Sequence, residues 1–319
     1  MLSSALSALS DRLDSKFLIA FWLPAFVLVL GGLGIMTALI GPSPIENWAL
    51  SLSPVAQSLV TILLVLLITM LACVLRALTW PIAATFAGDV LPQVVARWST
   101  RGQQRARARA VQALRAAPDA AALTGTSRQD RQRLNQLFPQ SETELMPTLF
   151  GNVLATASQH PRLAYAMEGA LWWPRLSPVL PSFFQDMLGA TQAPMMALLN
   201  LSVVFTGLAL AGAAALALAG SRWIDALIIL VVGLVLSRLC YRAAIGQAVA
   251  LGSQLGVAFD LYRHDILRQM DLEVPTDLAA ERALWQQLTL ELLSGLNVMP
   301  PNDDPSPVGE DASPAQTSS

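Results

Sequence analysis

Four stretches of the chain lose nearly all their polar positions. The first is Phe17–Ile40, an uncharged run of 24 residues. The second is about Gln57–Leu75, with the unbroken run Leu-Val-Thr-Ile-Leu-Leu-Val-Leu-Leu-Ile at 59–68. The third is Met195–Ala219, uncharged throughout, and the fourth runs from Trp223 to about Tyr241. About 20 apolar residues cross a bilayer core. In hydrocarbon every backbone N–H and C=O must be bonded internally, so each stretch predicts a spanning helix. Pro24 predicts a kink in the first. That run is longer than the short apolar part of a signal peptide, so it reads as a span that stays in the protein.

The pattern changes between spans two and three and again after span four. Trp80 marks an interface, Pro81 predicts an end or kink of the second helix, and residues 82–96 are mixed apolar. Arg97, Arg101, Arg105 and Arg109 recur every four residues, so a helix aligns them on one face. Ala116–Ser127 reads as a loop and Arg128–Phe138 as a short polar helix. Ser141 and Glu144 have capping-box spacing. Thr148–Ser158 reads helical, with His160-Pro161 as its stop. Trp172-Trp173-Pro174-Arg175 reads as a proline-broken corner leading to an amphipathic helix at Pro181–Gly189. Beyond span four, Ala244, Ala248, Leu251, Leu255, Ala258 and Tyr262 follow a 3–4 spacing, which predicts one helix running from the membrane to Met270. After Pro275, Thr276 is a candidate cap for a helix to Leu293, with Ala283, Leu284, Leu288 and Leu292 as its apolar side.

The predicted fold is therefore an all-α integral membrane protein with four transmembrane helices. A helical cytoplasmic insertion and a long helix continuing from the fourth span complete it. Along the chain this gives an N-terminal segment (1–16), a first transmembrane hairpin (17–78), a helical juxtamembrane insertion (79–194) and a second hairpin (195–241). A cytoplasmic helical region (242–298) and an acidic tail (299–319) follow. The tail is rich in Pro, Ser, Asp and Gly and is expected to be disordered.

Composition agrees with the pattern. Only 13% of the 319 residues are charged, against roughly a quarter in soluble domains, and the mean hydropathy is +0.51. The charge is unevenly placed. Of 19 arginines, 12 lie between Arg76 and Pro194. Span four is followed by more, while the connection at 41–54 carries Glu46 alone. The positive-inside rule puts the arginine-rich segments and both termini in the cytoplasm. Cys73 and Cys240 sit in or beside apolar runs and read as small packed hydrophobes, not a disulfide.

Several groups invite a function. The four aligned arginines are candidates for contact with lipid headgroups or another anion, against the simpler reading of a solvated face. Gly207, Ala211, Ala215 and Ala219 form a small-residue stripe that packs helices closely, within one chain or between copies. Asp225, Arg238 and Arg242 sit at the ends of span four. They are either ordinary boundary charges or, if copies assemble around an axial path, the groups that set a pore's ion preference. Trp172, Trp173 and Arg175 suit a headgroup-layer corner or a packed turn of the cytoplasmic part. Asn200, Ser202 and Thr206, with Thr61 and Thr69, read as bonds between or within helices.

Catalytic patterns do not emerge. Two histidines and two cysteines share no ligand spacing, so no metal is expected, and His264 beside Asp265 reads as a surface pair. No phosphate loop or nucleophile elbow occurs, so no catalytic residue and no cofactor are assigned. A DNA-binding pattern or aromatic stacking platform is likewise missing, so nucleic acid is not an expected partner.

Four stretches carry a resemblance: Pro-Thr-Leu-Phe-Gly-Asn-Val-Leu-Ala-Thr-Ala (147–157), Trp-Pro-Arg-Leu-Ser-Pro-Val-Leu-Pro (173–181), Ala-Phe-Asp-Leu-Tyr-Arg-His-Asp-Ile-Leu-Arg (258–268) and Glu-Arg-Ala-Leu-Trp (281–285). Together they resemble a group of uncharacterised bacterial multi-span inner-membrane proteins. The resemblance implies that location and supplies no activity. The expected function is a non-enzymatic membrane protein that presents a cytoplasmic helical module, self-associates and contacts anionic lipid or a protein partner. A homo-oligomeric channel is the alternative, with a membrane-embedded enzyme or transporter subunit behind it.

Overall fold

A computed structural model describes residues 14–116, 125–220 and 223–295. These residues form helices joined by short turns. Helix α1 covers Ser15–Ile40. After a new helix α2 (Pro42–Ser51) in the connection between the first two spans come α3 (Pro54–Ala77), α4 (Thr79–Ala87), α5 (Gln93–Ala116) and α6 (Gly125–Leu137). The second half of the chain holds α7 (Leu149–Tyr165), α8 (Gly169–Leu176), α9 (Ser182–Leu218), α10 (Trp223–Gln269) and α11 (Leu278–Ser294). Four of them, α1, α3, α9 and α10, are long and apolar enough to cross a membrane. They are the four stretches the hydropathy pattern marks. The Ala116–Ser127 loop falls largely, and the acidic tail wholly, outside the described residues, as do Ser221 and Arg222 of the turn between spans three and four.

The spans pack in the order two, one, three, four: α3 on α1, α1 on α9, and α9 on α10 along most of its length. They form a row. The face of span four away from α9 stays uncovered, so Ile228, Val231, Val232 and Val235 are exposed. Small residues set the closest approach of spans three and four. A Cβ on Gly233 would stand 2.6 Å from the Ala209 methyl and 3.1 Å from the Phe205 carbonyl.

Polar groups pin this row, as Asn200, Ser202 and Thr206 suggest. Ser202 Oγ and Ser237 Oγ lie 2.9 Å apart, and Thr206 Oγ1 and Ser237 Oγ 2.8 Å. Pro24 has no N–H to give the Ala20 carbonyl one turn back. The Asn200 amide donates to that carbonyl at 2.8 Å. A π-helical turn at Leu18–Trp22 comes just before Pro24. Thr61 and Thr69 bond back to their own helix.

Beyond the spans, two helices the sequence divides turn out to be continuous. Pro181–Gly189 and span three are one helix of 37 residues with Pro194 inside it. Helix α7 passes His160-Pro161 and ends only at Tyr165, where Ala166 takes a left-handed conformation (φ 61°). A proline costs a helix one backbone bond, and here packing against α10 outweighs that loss. The predicted long helix after span four is present as the 47-residue α10. Its Ala244, Ala248 and Ala258 are fully buried.

Two caps differ from expectation. Asp277, not Thr276, caps α11, accepting from Ala279 N and Ala280 N at 2.8 Å. Ser141 caps only a single 3-10 turn, Glu142–Glu144, and the Glu144 side chain turns away to Arg162.

The module beyond the spans has two apolar layers. The nearer joins Phe150 and Val153 of α7 to Met195 and Leu199 of α9 and Ala244 and Ala248 of α10. The farther gathers Met167, Trp172, Leu176, Phe184, Phe259, Leu267 and Trp285. The same two helices, α9 and α10, therefore supply spans and module cores alike.

Candidate functional site

The strip Trp172-Trp173-Pro174-Arg175 is helical, and Trp172 is fully buried. It meets Trp285 edge-on at 4.8 Å, and its Nε1–H donates to Thr289 Oγ1 at 2.9 Å. Its ring is therefore packed against protein, as in the packed-turn reading of this strip. Pro174 is the sixth residue of this eight-residue helix, which is stabilised by that aromatic pair, a contact worth about 1 kcal/mol beyond burial. Arg175 is exposed and lies over the Trp172 ring at 5.7 Å.

Around this core runs a chain of polar contacts linking α7, α10 and α11. Asp260 Oδ1 accepts from Tyr165 Oη at 2.8 Å and lies 2.8 Å from His160 Nε2. Arg263 lies over the Tyr165 ring at 4.0 Å and donates to the Asp260 backbone carbonyl. Its guanidinium then grips Glu281, Nε to Oε1 at 2.6 Å and Nη2 to Oε2 at 3.4 Å. Trp285 Nε1–H donates to Glu281 Oε1 at 3.2 Å, and His264 Nε2 is 3.1 Å from the same oxygen. His264 thus pairs inward with Glu281. The expected surface pair with Asp265 does not form, because Asp265 binds Arg268 at 2.5 Å.

Electrostatics follow from this geometry. Only 6% of the Glu281 side chain is exposed. Burial alone pushes a carboxyl upward, but the Arg263 and Trp285 hydrogen bonds and the charge of Arg263 outweigh it. Glu281 is held below the usual carboxylate range. The Tyr165 phenol is pushed up by burial and by its bond to Asp260. It therefore stays protonated at neutral pH and acts as a donor.

A cleft of about 250 Å³ opens where α6, α7 and α10 meet. His160 and Asp260 stand on its wall with Thr156, Ser253, Asn135 and Gln136. Close approach of α7 to α10 shapes it: a Cβ on Gly252 would stand 3.0 Å from Ala157, and one on Gly256 3.3 Å from His160. Among the described residues no group of three or more His, Cys, Asp or Glu is placed to hold a metal.

The remaining predicted residues scatter. Arg97, Arg101, Arg105 and Arg109 share an exposed face of α5 as expected, and none has an ion-pair partner among the described residues. Asp225, Arg238 and Arg242 are exposed on α10. Arg238 lies over the Tyr241 ring at 5.3 Å. Gly207 and Ala211 are exposed, with nothing within 4 Å of a Cβ on Gly207 among the described residues. The packing stripe within the chain is Ala209, Gly212 and Leu216, which are buried. Cys73 and Cys240 are unpaired.

Sequence reasoning missed the polar chain because its members lie far apart, on segments with no common spacing. The available signal is that Asp260, Arg263, His264, Glu281 and Trp285 fall in two of the four stretches that carry the resemblance. Those stretches assemble into one body. Compared with family models, curated proteins and solved structures, the chain has no match.

Proposed function

We propose that this chain is a non-enzymatic, multi-pass inner-membrane protein that presents a helical module on the arginine-rich, cytoplasmic side. The observation that carries this reading is the continuity of α9 and α10. Their 37 and 47 residues give helices of roughly 55 and 70 Å. A bilayer core takes about 30 Å of each, and the remainder forms the spine of the module. No flexible joint separates the two parts. Gln254 Nε2 adds a bond to Thr191 Oγ1 at 2.9 Å between the same helices beyond the spans. The module therefore holds a set orientation to the membrane, which suits a protein that offers a surface to partners. Self-association fits Gly207, Ala211 and Ala219, which the packing of the described residues leaves exposed.

Two measurements test this. A cysteine at the exposed Gln287, in a chain lacking Cys73 and Cys240, should react with an impermeant maleimide only from the cytoplasmic face. Reaction from the other face overturns the orientation. Particle imaging in nanodiscs should find no ring with an axial path, and planar bilayers no conductance. A ring whose ion preference shifts on Arg238→Glu would replace this reading with a channel.

A further inference from the structure

The four outward arginines of α5 are not equivalent. The inward face of the helix is Ala96, Ser99, Gln103, Arg107 and Ala110, all partly buried. Ser99 Oγ donates to the Pro147 carbonyl at 2.5 Å. Two turns on, Arg107 donates to the Gln140 carbonyl at 2.5 Å and pairs with Glu142 at 3.5 Å. These two anchors lie at different heights. Pro147 sits beside the start of α7, where the Phe150 N–H donates to Tyr241 Oη at 3.3 Å. Tyr241 lies between Arg238 and Arg242, where span four ends. Gln140 instead lies level with the far part of α7: its N–H donates to Gln159 Oε1 at 3.3 Å. Helix α7 runs alongside α10 in the same direction, Ala157 beside Gly252 and His160 beside Gly256. Helix α5 consequently climbs away from the span ends instead of lying along a membrane plane.

The outward face reads differently at each height. Val94 and Trp98, 81% and 77% exposed, come first. Arg97 and Arg101 lie within a turn of Trp98. By helix rise, Arg105 and Arg109 stand about 10 and 16 Å further out than Trp98. Surface attraction fades over a Debye length, about 8 Å at physiological salt. Trp80 is 80% exposed one turn beyond Arg76, where span two ends.

We propose that the near end of α5, Val94, Arg97, Trp98 and Arg101, is seated in the headgroup layer on anionic phospholipid, with Trp80 beside it. Arg105 and Arg109 stand clear of the bilayer. Indole rings belong at that depth, and two arginines next to them match a phosphate surface. The assignment rests on the proposed reading that α1, α3, α9 and α10 cross a membrane.

Nitroxide labels on the full chain in nanodiscs test it, in a Cys73→Ala, Cys240→Ala background. Discs are phosphatidylcholine with or without phosphatidylglycerol. A label at Val94→Cys should be relaxed by lipid-soluble oxygen, and one at Ala108→Cys by an aqueous nickel complex. Phosphatidylglycerol should deepen the first label and not the second. Arg97→Gln with Arg101→Gln should cancel that gain, about thirty-fold in the seated fraction at roughly fivefold per arginine. Arg105→Gln with Arg109→Gln should leave it within twofold. Two aqueous labels, or two seated ones, overturn the proposal, as does an equal effect of the two arginine pairs. A label at Val231→Cys in span four separates the failures: if it too is aqueous, the spanning reading falls first.

Discussion

Removing Arg263 while leaving Glu281 in place should unfold the module far more readily than loss of any surface ion pair. Glu281 is 6% and Arg263 15% exposed, and they meet at 2.6 and 3.4 Å. A charge pair at about 4 Å and an effective dielectric near 20 interacts by about 4 kcal/mol. Breaking a buried pair on one side costs about 3–5 kcal/mol, because the other charge is left stranded. Arg263→Met should therefore cost at least 3 kcal/mol, read as a fall in the thermal midpoint of protein in detergent. The exposed pair Arg268–Asp265, at 67% and 34%, should yield under about 1 kcal/mol on Arg268→Met. Adding Glu281→Gln to Arg263→Met should recover part of the loss: it removes the stranded charge and keeps an acceptor for Trp285 Nε1. If Arg263→Met is as mild as Arg268→Met, or if Glu281→Gln deepens its loss, the buried-pair reasoning is wrong.

Three further outcomes follow from the same structure. Because the Glu281 carboxyl is held below its unfolded value of about 4.5, its contribution is complete above that value. It is lost as pH falls through the lower folded value. The stability gap between the native chain and Arg263→Met should accordingly narrow on acidification, and a gap that widens from pH 7 to 4 in thermal scans refutes this. Asn200→Ala should cost about 1 kcal/mol through loss of its bond to the Ala20 carbonyl. It should cost less in Pro24→Ala, where position 24 regains an N–H, and equal losses in both backgrounds would contradict the assigned role. Gly233→Val should separate spans three and four and lower stability sharply, since its Cβ meets Ala209 at 2.6 Å. Gly207→Val should leave monomer stability unchanged and lower only self-association, which sedimentation in detergent distinguishes.

Much of this was legible before any coordinates. The four spans appear in the sequence because membrane crossing depends on local composition: about 20 consecutive apolar residues suffice, whatever surrounds them. The long helix after span four was legible for a related reason, its small residues recurring with the helical period. Legibility failed at the prolines. Pro161 and Pro174 read as a stop and a corner, and each lies within a helix. The cost of one missing backbone bond is local, while the packing that overrides it comes from helices distant in the chain. Trp172 was left between a headgroup-layer corner and a packed turn, and only Trp285, more than a hundred residues later, makes it core.

The charge pattern divides along the same line. That four arginines share one helical face was settled by their spacing of four, a property of the helix alone. The direction α5 takes from the span ends was decided by Ser99 and Arg107, through their bonds to Pro147 and Gln140. The sequence by itself determined what is periodic or contiguous: spans, helical faces and the sign of each segment's charge. The tertiary structure alone decided what depends on distant partners, namely the row of spans, the Asp260–Arg263–Glu281 chain and the height of each arginine. Neighbours in the chain constrain backbone conformation and composition, but contact across 100 residues leaves no mark in local spacing.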